Sequence, residues 1–286
     1  MPDLNAITPD TSPAFDLLTE HPTGYEYASY LEKVAKHFEL PIATQIEVKR
    51  IEDRGGAFIL DTSKGKFGCT FLIWAAGEFQ YPKTKSFEGD HLCTHYAEID
   101  TYSDELGKES VVIGAYESGF DAEINLSYLG INVTLNDNDN YVELIKSDSS
   151  YSLSPFTRDR MRDAPDAISH VPETRVQKVK FEDAKYIVTT NNDYTFVSDD
   201  APINCTGFDT SLKLVKELFE FKEDYPLQNL YDESHKSPYL FLAGPQVKHG
   251  NALFCFIYKY RQRFAIVAEE LAKRNGVSLS TIDKVI

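Results

Sequence analysis

The sequence predicts an α/β fold built on mixed sheets, and three stretches of the chain carry that prediction. Residues 110–136 alternate between a short apolar strand, a helix and a second strand, which is typical of a parallel β-α-β unit. Residues 42–77 and 176–205 each contain several short β-like runs separated by turn residues, a pattern that indicates antiparallel meanders. With 286 residues, the chain is long enough for one or two domains with a sizeable core.

The part of the chain before residue 100 predicts one helix and three strands. Residues 1–24 are rich in Pro, Thr and Asp and are expected to be extended. A helix is expected at 24–40, where apolar side chains recur at spacings of three and four, and Pro41 ends it. Strands are expected at 42–53, 56–65 and 66–77. Residues 78–100 contain Pro and Gly and are expected to form an irregular linker.

The rest of the chain predicts the β-α-β unit followed by a mixture of strands and helices. The unit consists of a strand at 110–114, a helix that starts near residue 117 and ends at Gly130, and a strand at 132–136. The later elements are a helix and turn at 152–165, strands at 175–183, 185–193 and 194–207, a short helix at 212–219, a strand at 238–244 and a helix at 251–275.

The composition describes an acidic globular protein and excludes several classes of partner. Hydrophobic residues make up 42% and charged residues 26%, which is ordinary for a globular domain. The net charge of −16 would repel the phosphates of nucleic acid and of anionic membranes. No apolar run approaches the roughly 18–20 residues that span a bilayer, and the N-terminus lacks the pattern of a secretion signal. The four cysteines are widely spaced, which argues against a metal site or a disulfide framework and favours the cytoplasm.

The turn inside the β-α-β unit predicts a dinucleotide-binding site. Gly114 is expected to make the turn and Gly119 to allow close packing of helix on strand. The main-chain amides around these two glycines, with Ser118 among them, and the adjoining helix end are expected to hold a pyrophosphate. Tyr116 occupies the middle position, which is normally glycine. It fits there if its φ is negative and its ring points away from the ligand, and its hydroxyl can then donate to a phosphate. Glu117 suits the positive end of the helix but competes with a phosphate.

An acidic residue at the end of the second strand extends this prediction to the ribose. Asp137 follows the turn at about the spacing at which a carboxylate accepts hydrogen bonds from a ribose 2′-hydroxyl. The same charge would repel a 2′-phosphate, which favours NADH over NADPH. The alternative is a structural strand–turn–helix that binds nothing.

Three other strand ends combine small residues with glycine, namely Ala76–Gly77, Thr206–Gly207 and Gly244–Pro245. A strand that ends in this way lets the backbone pass close to a flat ligand, and the alternative is an ordinary strand end. Lys248 and His249 are expected at the N-terminus of the last helix, whose partial positive charge suits a developing anion. His249 is a candidate proton donor or ring-stacking neighbour, and the alternative is a solvated loop histidine.

Five segments, in this order, make the chain resemble flavin-dependent oxidoreductases with two dinucleotide-binding domains. They read TGYEYASYLEKVAKHFELPI, FLIWAAGEFQYP, VVIGAYESGFDA, INCTGFD and LFLAGPQVKHGN. The chain is most similar to the flavin-containing monooxygenase-like branch of the pyridine nucleotide–disulfide reductase superfamily. This resemblance implies a three-layer fold in which a Rossmann-like NAD(P)-binding domain, 86–200, is inserted into an FAD-binding domain formed by 1–85 and 201–286.

The resemblance also assigns roles to the glycine-containing strand ends. Ala76–Gly77 and Thr206–Gly207 would be the linker motifs near the domain junctions. Gly244–Pro245 would lie beside the flavin, where many relatives have an acidic residue. Lys248 and His249, as neighbours of the flavin, are the candidate catalytic residues.

The start of the chain departs from the family pattern. No G-x-G-x-x-G segment precedes Gly114, so we expect an incomplete FAD-binding domain that binds FAD poorly on its own. A truncated product, a protein split over two chains and a degenerate relative are the three explanations. Without that first strand, neighbouring strands are expected to keep unpaired edges.

These observations lead to competing hypotheses about function. The first is a flavin-dependent NAD(P)H oxidoreductase, monooxygenase-like or a reductase, in which a hydride passes from NADH or NADPH to FAD and on to oxygen or another small-molecule substrate. The second is a truncated or degenerate nucleotide-binding or partner-binding remnant without activity. The third is one subunit of a split flavoenzyme, completed by a chain that carries the N-terminal FAD segment. A homodimer is the other expected assembly.

Overall fold

The computed structural model describes residues 4–8, 10–102, 106–146, 148–165 and 168–277. It divides into two compact units: Met1–Gly77 with Ser211–Ile286 form the first unit, and Glu78–Thr210 form the second. The assignment of these units to a flavin domain and a nicotinamide domain stays a prediction. In the part of the chain that is described, no helix combines the length and the apolar character needed to cross a membrane.

The second unit is built on a parallel sheet. Its strands are β5 (Thr94–His95), β6 (Glu109–Ile113), β7 (Asn132–Asn136), β8 (Ile168–Val171), β9 (Val176–Glu182), β10 (Lys185–Thr190), β11 (Thr195–Ser198) and β12 (Ile203–Asn204), and its helices are α3 (Glu117–Tyr128) and α4 (Pro155–Asp163). The parallel sheet has the order β5-β12-β6-β7-β8, and β9, β10 and β11 form an antiparallel meander.

The alternation of side chains along β6 explains why this sheet is covered on both faces. Val112 packs into one cluster with Phe120 and Leu126 of α3. Its neighbours Val111 and Ile113 pack on the opposite face against apolar side chains of the meander, as the two-residue period of a strand requires. The result is three layers, helix, parallel sheet and meander, and it confirms the predicted α/β fold with mixed sheets.

The first unit contains helices, a meander and a short parallel pair. Its helices are α1 (Pro13–Leu17), α2 (Gly24–His37) and α5 (Ile257–Arg274), and its strands are β1 (Val48–Asp53), β2 (Phe58–Thr62), β3 (Gly65–Cys69), β4 (Leu72–Trp74), β13 (Phe221–Lys222), β14 (Tyr225–Pro226), β15 (Leu240–Leu242), β16 (Lys248–His249) and β17 (Ala252–Leu253). β1, β2 and β3 form the antiparallel meander, β4 pairs with β15 in parallel, and β13–β14 and β16–β17 are hairpins.

Local signals set the ends of several elements in the first unit. Helix α2 begins with a capping box, in which Thr23 and Glu26 satisfy each other's backbone N–H groups. It ends at His37, ahead of Pro41.

The region expected to be a short helix at 212–219 instead forms two 3-10 turns, Ser211–Leu214 and Lys216–Leu218. Leu212 of the first turn and Val215, which lies between the two turns, pack into the core beside the buried strand β15.

Candidate nucleotide-binding site

The turn between β6 and α3 can be made only by glycine at two positions. Gly114 has a φ of 99°, in the region that favours glycine, and a Cβ there would lie 2.6 Å from the carbonyl oxygen of Cys205. A Cβ at Gly119 would lie 1.9 Å from the carbonyl oxygen of Gly114. Gly114 therefore forms the tight turn and Gly119 lets the helix approach the strand, the roles that such glycines have in dinucleotide-binding folds.

The side chain of Tyr116 is held by contacts within the protein. Its backbone is extended, with a φ of −131°. Its hydroxyl group lies 3.3 Å from the carbonyl oxygen of Ser149 and 3.2 Å from that of Ser152, and its ring contacts Tyr141 at a centroid distance of 5.0 Å. Because the single hydroxyl proton is shared between two carbonyls, none is left for the phosphate contact considered from the sequence. The negative φ agrees with the condition under which tyrosine fits this turn.

Glu117 directs its charge toward the next helix. Its carboxylate accepts hydrogen bonds from the backbone N–H of Ser154 at 2.5 Å, from the Ser154 hydroxyl at 3.2 Å and from the Thr157 hydroxyl at 2.5 Å. Ser154 is the N-cap of α4, so the carboxylate lies at the positive end of that helix. Three donors disperse the negative charge, which reduces the expected competition with a phosphate.

The first turn of α3 presents backbone donors. Among the residues that the structure describes, no acceptor binds the backbone N–H groups of Glu117, Ser118 or Gly119, as is usual at a helix start. Cys205, whose carbonyl oxygen borders Gly114, has a thiol whose pKa is raised because it is buried. These amides and the positive end of the α3 dipole can hold an anionic group such as a pyrophosphate.

The structure places Asp137 in the interior, which conflicts with the predicted ribose contact. The side chain is fully buried, and its carboxylate accepts hydrogen bonds from Asp139 N at 2.9 Å, Tyr141 N at 2.6 Å and His170 Nε2 at 3.0 Å. It closes an Asx turn that shapes the segment after β7. The alternating Asn and Asp residues of the sequence NDNDN are a turn signal that would have indicated this role. The exposed carboxylate at this strand end belongs to Asp139.

A second buried acid lies inside α3 itself. Glu123 is fully buried, and neither of its carboxylate oxygens has a hydrogen-bond partner. Burial raises the pKa of Glu123 to about 8, because an apolar environment disfavours the charged form. No sequence signal indicates this burial, since a single glutamate in a helix is usually exposed.

Two of the predicted glycine-containing strand ends lie at the same edge of the parallel pair in the first unit. Because β4 and β15 run in parallel, Gly77 and Gly244 both follow their carboxyl ends. Their φ angles are 66° and 111°, and no atom lies within 4 Å of a Cβ placed at either residue. Ala76 and Pro245, beside them, are partly exposed. This edge is open to a flat ligand, and ligands of α/β sheets bind at such carboxyl ends.

The third strand end, Thr206–Gly207 in the second unit, is engaged in local contacts. The carbonyl oxygen of Gly207 accepts hydrogen bonds from Lys83 N at 3.1 Å and from His95 Nε2 at 2.9 Å. The Thr206 hydroxyl is hydrogen-bonded to that of Ser86 at 3.0 Å. These bonds hold the end of β12 to the preceding segment of the same unit.

The prediction that Lys248 and His249 stand at the start of the last helix is wrong. They form β16 of a hairpin, and α5 begins only at Ile257. His249 Nε2 lies 2.5 Å from Oδ1 of the buried Asp232. Lys248 Nζ lies 4.0 Å from the centroid of the Tyr225 ring, a cation–π contact.

Asp232 connects three parts of the first unit. Besides His249, its carboxylate binds Arg263 of α5, whose Nε is 2.9 Å from Oδ2 and whose Nη2 is 2.7 Å from Oδ1. Its carbonyl oxygen accepts a hydrogen bond from Leu242 N at 2.8 Å, at the end of β15. His249 is thus a hydrogen-bond partner in a structural network. The sequence could not reveal this network, because His249 and Arg263 lie 17 and 31 residues after Asp232 and no repeating pattern connects them.

Comparison with known proteins supports an oxidoreductase of this fold. Uncharacterized oxidoreductase CzcO of Bacillus velezensis is 29% identical over 110 residues, which cover 37% of this chain and 32% of that protein. Senecionine N-oxygenase of Tyria jacobaeae is 29% identical over 140 residues, covering 39% of this chain and 30% of that protein. The matches therefore span about a third of the length of these relatives.

Solved structures show the same fold at low sequence identity. Bacillithiol disulfide reductase Bdr (YpdA) from Staphylococcus aureus has a TM-score of 0.77 and 18% identity, and the match covers 96% of this chain and 83% of that chain. Thioredoxin reductase of T. acidophilum has a TM-score of 0.69 and 17% identity, with 96% and 87% covered. A flavin-containing monooxygenase from Stenotrophomonas maltophilia has a TM-score of 0.66 and 19% identity, with 88% and 78% covered.

The family itself follows from a match over most of the chain. The profile described as pyridine nucleotide-disulphide oxidoreductase matches residues 1–244, which include the Gly114 turn and the parallel pair β4–β15. This match confirms the resemblance inferred from the five sequence segments. The chain belongs to the pyridine nucleotide-disulphide oxidoreductase family.

Proposed function

We propose that this chain is a flavin-dependent NAD(P)H oxidoreductase, either monooxygenase-like or a reductase. When bound, the nicotinamide supplies a hydride, and the flavin takes it up and passes the electrons to oxygen or a small acceptor. The family match supports the oxidoreductase class, and the solved structures of similar fold include both reductases and a monooxygenase. No two cysteines form a CxxC pair, which argues against an internal dithiol relay.

The first turn of α3 is the observation on which the proposal depends. The N–H groups of Glu117, Ser118 and Gly119 would hold the pyrophosphate of the nicotinamide dinucleotide, with support from the helix dipole. Gly114 and Gly119 keep the strand, the turn and the helix close enough for those groups to converge. The residues of this turn therefore fit the cofactor that the family implies.

Asp139 is the proposed recognition residue for the ribose next to the adenine. It is exposed at the carboxyl end of β7, while Asp137 is buried and already accepts three hydrogen bonds. A carboxylate can accept from the 2′- and 3′-hydroxyls of an unmodified ribose, but it repels a 2′-phosphate. We therefore propose NADH as the preferred donor.

The flavin fits the first unit only in part. The open edge at Gly77 and Gly244 suits an isoalloxazine ring or its ribityl chain. Residues 1–113 contain no G-x-G-x-x-G segment to hold the FAD pyrophosphate. This chain by itself would therefore bind FAD weakly.

This partial fit favours a second candidate function, in which the chain is an inactive nucleotide-binding remnant or one subunit of a split flavoenzyme. In the described part of the first unit, β4 pairs with a strand on one side only, and Ile73 in its centre is 44% exposed. A two-stranded parallel sheet is marginal without further strands. A complementing FAD-domain chain would add a strand there, and a homodimer is the alternative assembly.

The cytoplasm is the proposed compartment, because the cysteines that the structure describes are free thiols.

Two variants at one position test the nicotinamide site by calorimetric titration with NADH and NADPH. Ser118→Asp puts a negative charge where the pyrophosphate would bind, while an acidic residue still suits the helix start. We expect it to weaken NADH binding by about 10-fold or more. Ser118→Asn has nearly the same shape without the charge and should bind within about 3-fold of the wild type. Wild-type protein that binds neither nucleotide would refute the site.

The colour of the purified protein separates the two candidate functions. Yellow protein that oxidises NADH supports the oxidoreductase. Colourless protein that binds NADH but does not oxidise it when FAD is added supports the remnant. Activity that appears only with a second, co-purifying chain supports the split enzyme.

A further inference from the structure

A short segment is fastened to the nucleotide turn by the residues that depart from the glycine pattern. We name residues 148–154 the strap. The Tyr116 hydroxyl is shared between the carbonyl oxygens of Ser149 and Ser152. The Glu117 carboxylate binds both the backbone N–H and the hydroxyl of Ser154. Two consecutive residues at the start of α3 thus hold the two halves of the strap.

The strap belongs to a braced excursion of the chain between β7 and α4. Arg158 of α4 donates to the carbonyl oxygens of Val142 at 2.6 Å and Leu144 at 3.1 Å. The buried Asp137 holds the N–H of Tyr141, and the Tyr141 ring contacts Tyr116. These bonds fix the excursion relative to both β7 and the start of α3.

The strap lies beside the proposed nucleotide site. In a β-α-β unit the dinucleotide lies across the carboxyl ends of the strands, with its pyrophosphate at the helix start and its adenosine beside the second strand. The excursion begins at the end of β7. Its last part, the strap, lies against the start of α3, where the side chains of Tyr116 and Glu117 bind it. It therefore borders the adenosine side of the proposed site.

We propose that Tyr116 and Glu117 are positioning residues that hold the strap as the adenosine-side wall of the nucleotide site. This inference rests on the proposed function. A tyrosine at the second glycine position of the motif then has a function of its own, because its hydroxyl and ring make contacts that glycine cannot make. A wall fixed before the ligand arrives raises affinity, because less ordering accompanies binding.

The test compares Tyr116→Phe, Tyr116→Gly and the matched control Tyr128→Phe. Tyr128 lies at the other end of α3, and its hydroxyl likewise donates to a backbone carbonyl, that of Asp163 at 3.1 Å. Hydrogen exchange of amides 148–154 is measured without ligand, and the affinities for NADH and ADP-ribose are measured by titration calorimetry.

We expect Tyr116→Phe to speed exchange in the strap and to weaken both ligands by about 3- to 10-fold, the size of a lost hydrogen bond. Tyr116→Gly should weaken them at least as much, and Tyr128→Phe should change neither quantity. Tighter binding by Tyr116→Gly, or unchanged affinity in Tyr116→Phe despite faster exchange, would overturn the inference. Failure of the wild type to bind either ligand would instead refute the proposed function, and the inference with it.

Discussion

The carbonyl oxygen of Gly114 lies 1.9 Å from the point where a Cβ on residue 119 would stand. No side chain fits in that space, because the obstacle is backbone that directly follows the largely buried strand β6. A glycine at position 119 therefore lets helix α3 pack closely on the turn after β6. The open amides at the start of α3 owe their position to this contact.

Gly119→Ala should destabilise the protein. The added methyl group forces α3 away from the turn, at a cost of about 1–3 kcal/mol after the gain in helix propensity is subtracted. The measurement is urea unfolding followed by circular dichroism. Gly68→Ala is the control, because a Cβ there would meet Ile59 at 3.6 Å, an ordinary contact. Equal stability of the two variants would show that α3 can move without penalty.

Glu123→Gln should remove a pH dependence of stability. Burial raises the pKa of Glu123 from its ordinary value of 4.5 to about 8, so the folded state retains a proton that the unfolded state releases. Its contribution is favourable at low pH and is lost as the pH rises from about 4.5 to about 8. The melting temperature of the wild type should fall over this range more steeply than that of the variant.

The exposed Glu143→Gln provides the comparison for Glu123, since it removes one acid from the same unit without affecting the core. If the melting temperatures of the wild type and of Glu123→Gln fell by the same amount between pH 5 and pH 8, an uncharged, buried Glu123 would be contradicted.

Asp232→Asn should destabilise the first unit by about 3 kcal/mol, because the partly buried Arg263 loses its counter-charge and His249 loses a carboxylate as its hydrogen-bond partner. The residue has a φ of 62°, which asparagine tolerates as well as aspartate, so the substitution changes the charge and not the backbone. Guanidinium unfolding at neutral pH measures the effect. Asp224→Asn, at an exposed hairpin turn, should stay within about 0.5 kcal/mol of the wild type, and the same small change at position 232 would show that the network is dispensable.

The sequence was sufficient wherever the signal was local. The strand, the glycine turn and the helix at 110–136 were predicted because apolar spacing and turn residues lie next to one another in the chain. The family match confirms the resemblance drawn from five such segments.

The sequence was insufficient wherever a distant partner decides the structure. The sequence predicts a helix start at Lys248 and His249, whereas the structure has a hairpin whose geometry depends on Asp232 and on pairing between short strands. The burial of Asp137 depends on donors from Tyr141 and His170, and the last of these is 33 residues away. The burial of Glu123 has no local signal in the sequence, since only the packed sheet makes its position apolar.

The bond between Glu117 and Ser154 bears on how relatives of this chain are detected. A search pattern that requires glycine at the second position of the turn does not match this chain, which has Tyr116 there, and reports no nucleotide site. A pattern with an aromatic residue and a glutamate in the turn, and a Ser-Pro pair 37 residues after the glutamate, encodes the partnership instead. Proteins retrieved in this way would form a testable subgroup. In each of them, large side chains in the turn would occur together with a second helix whose N-cap serine binds the glutamate.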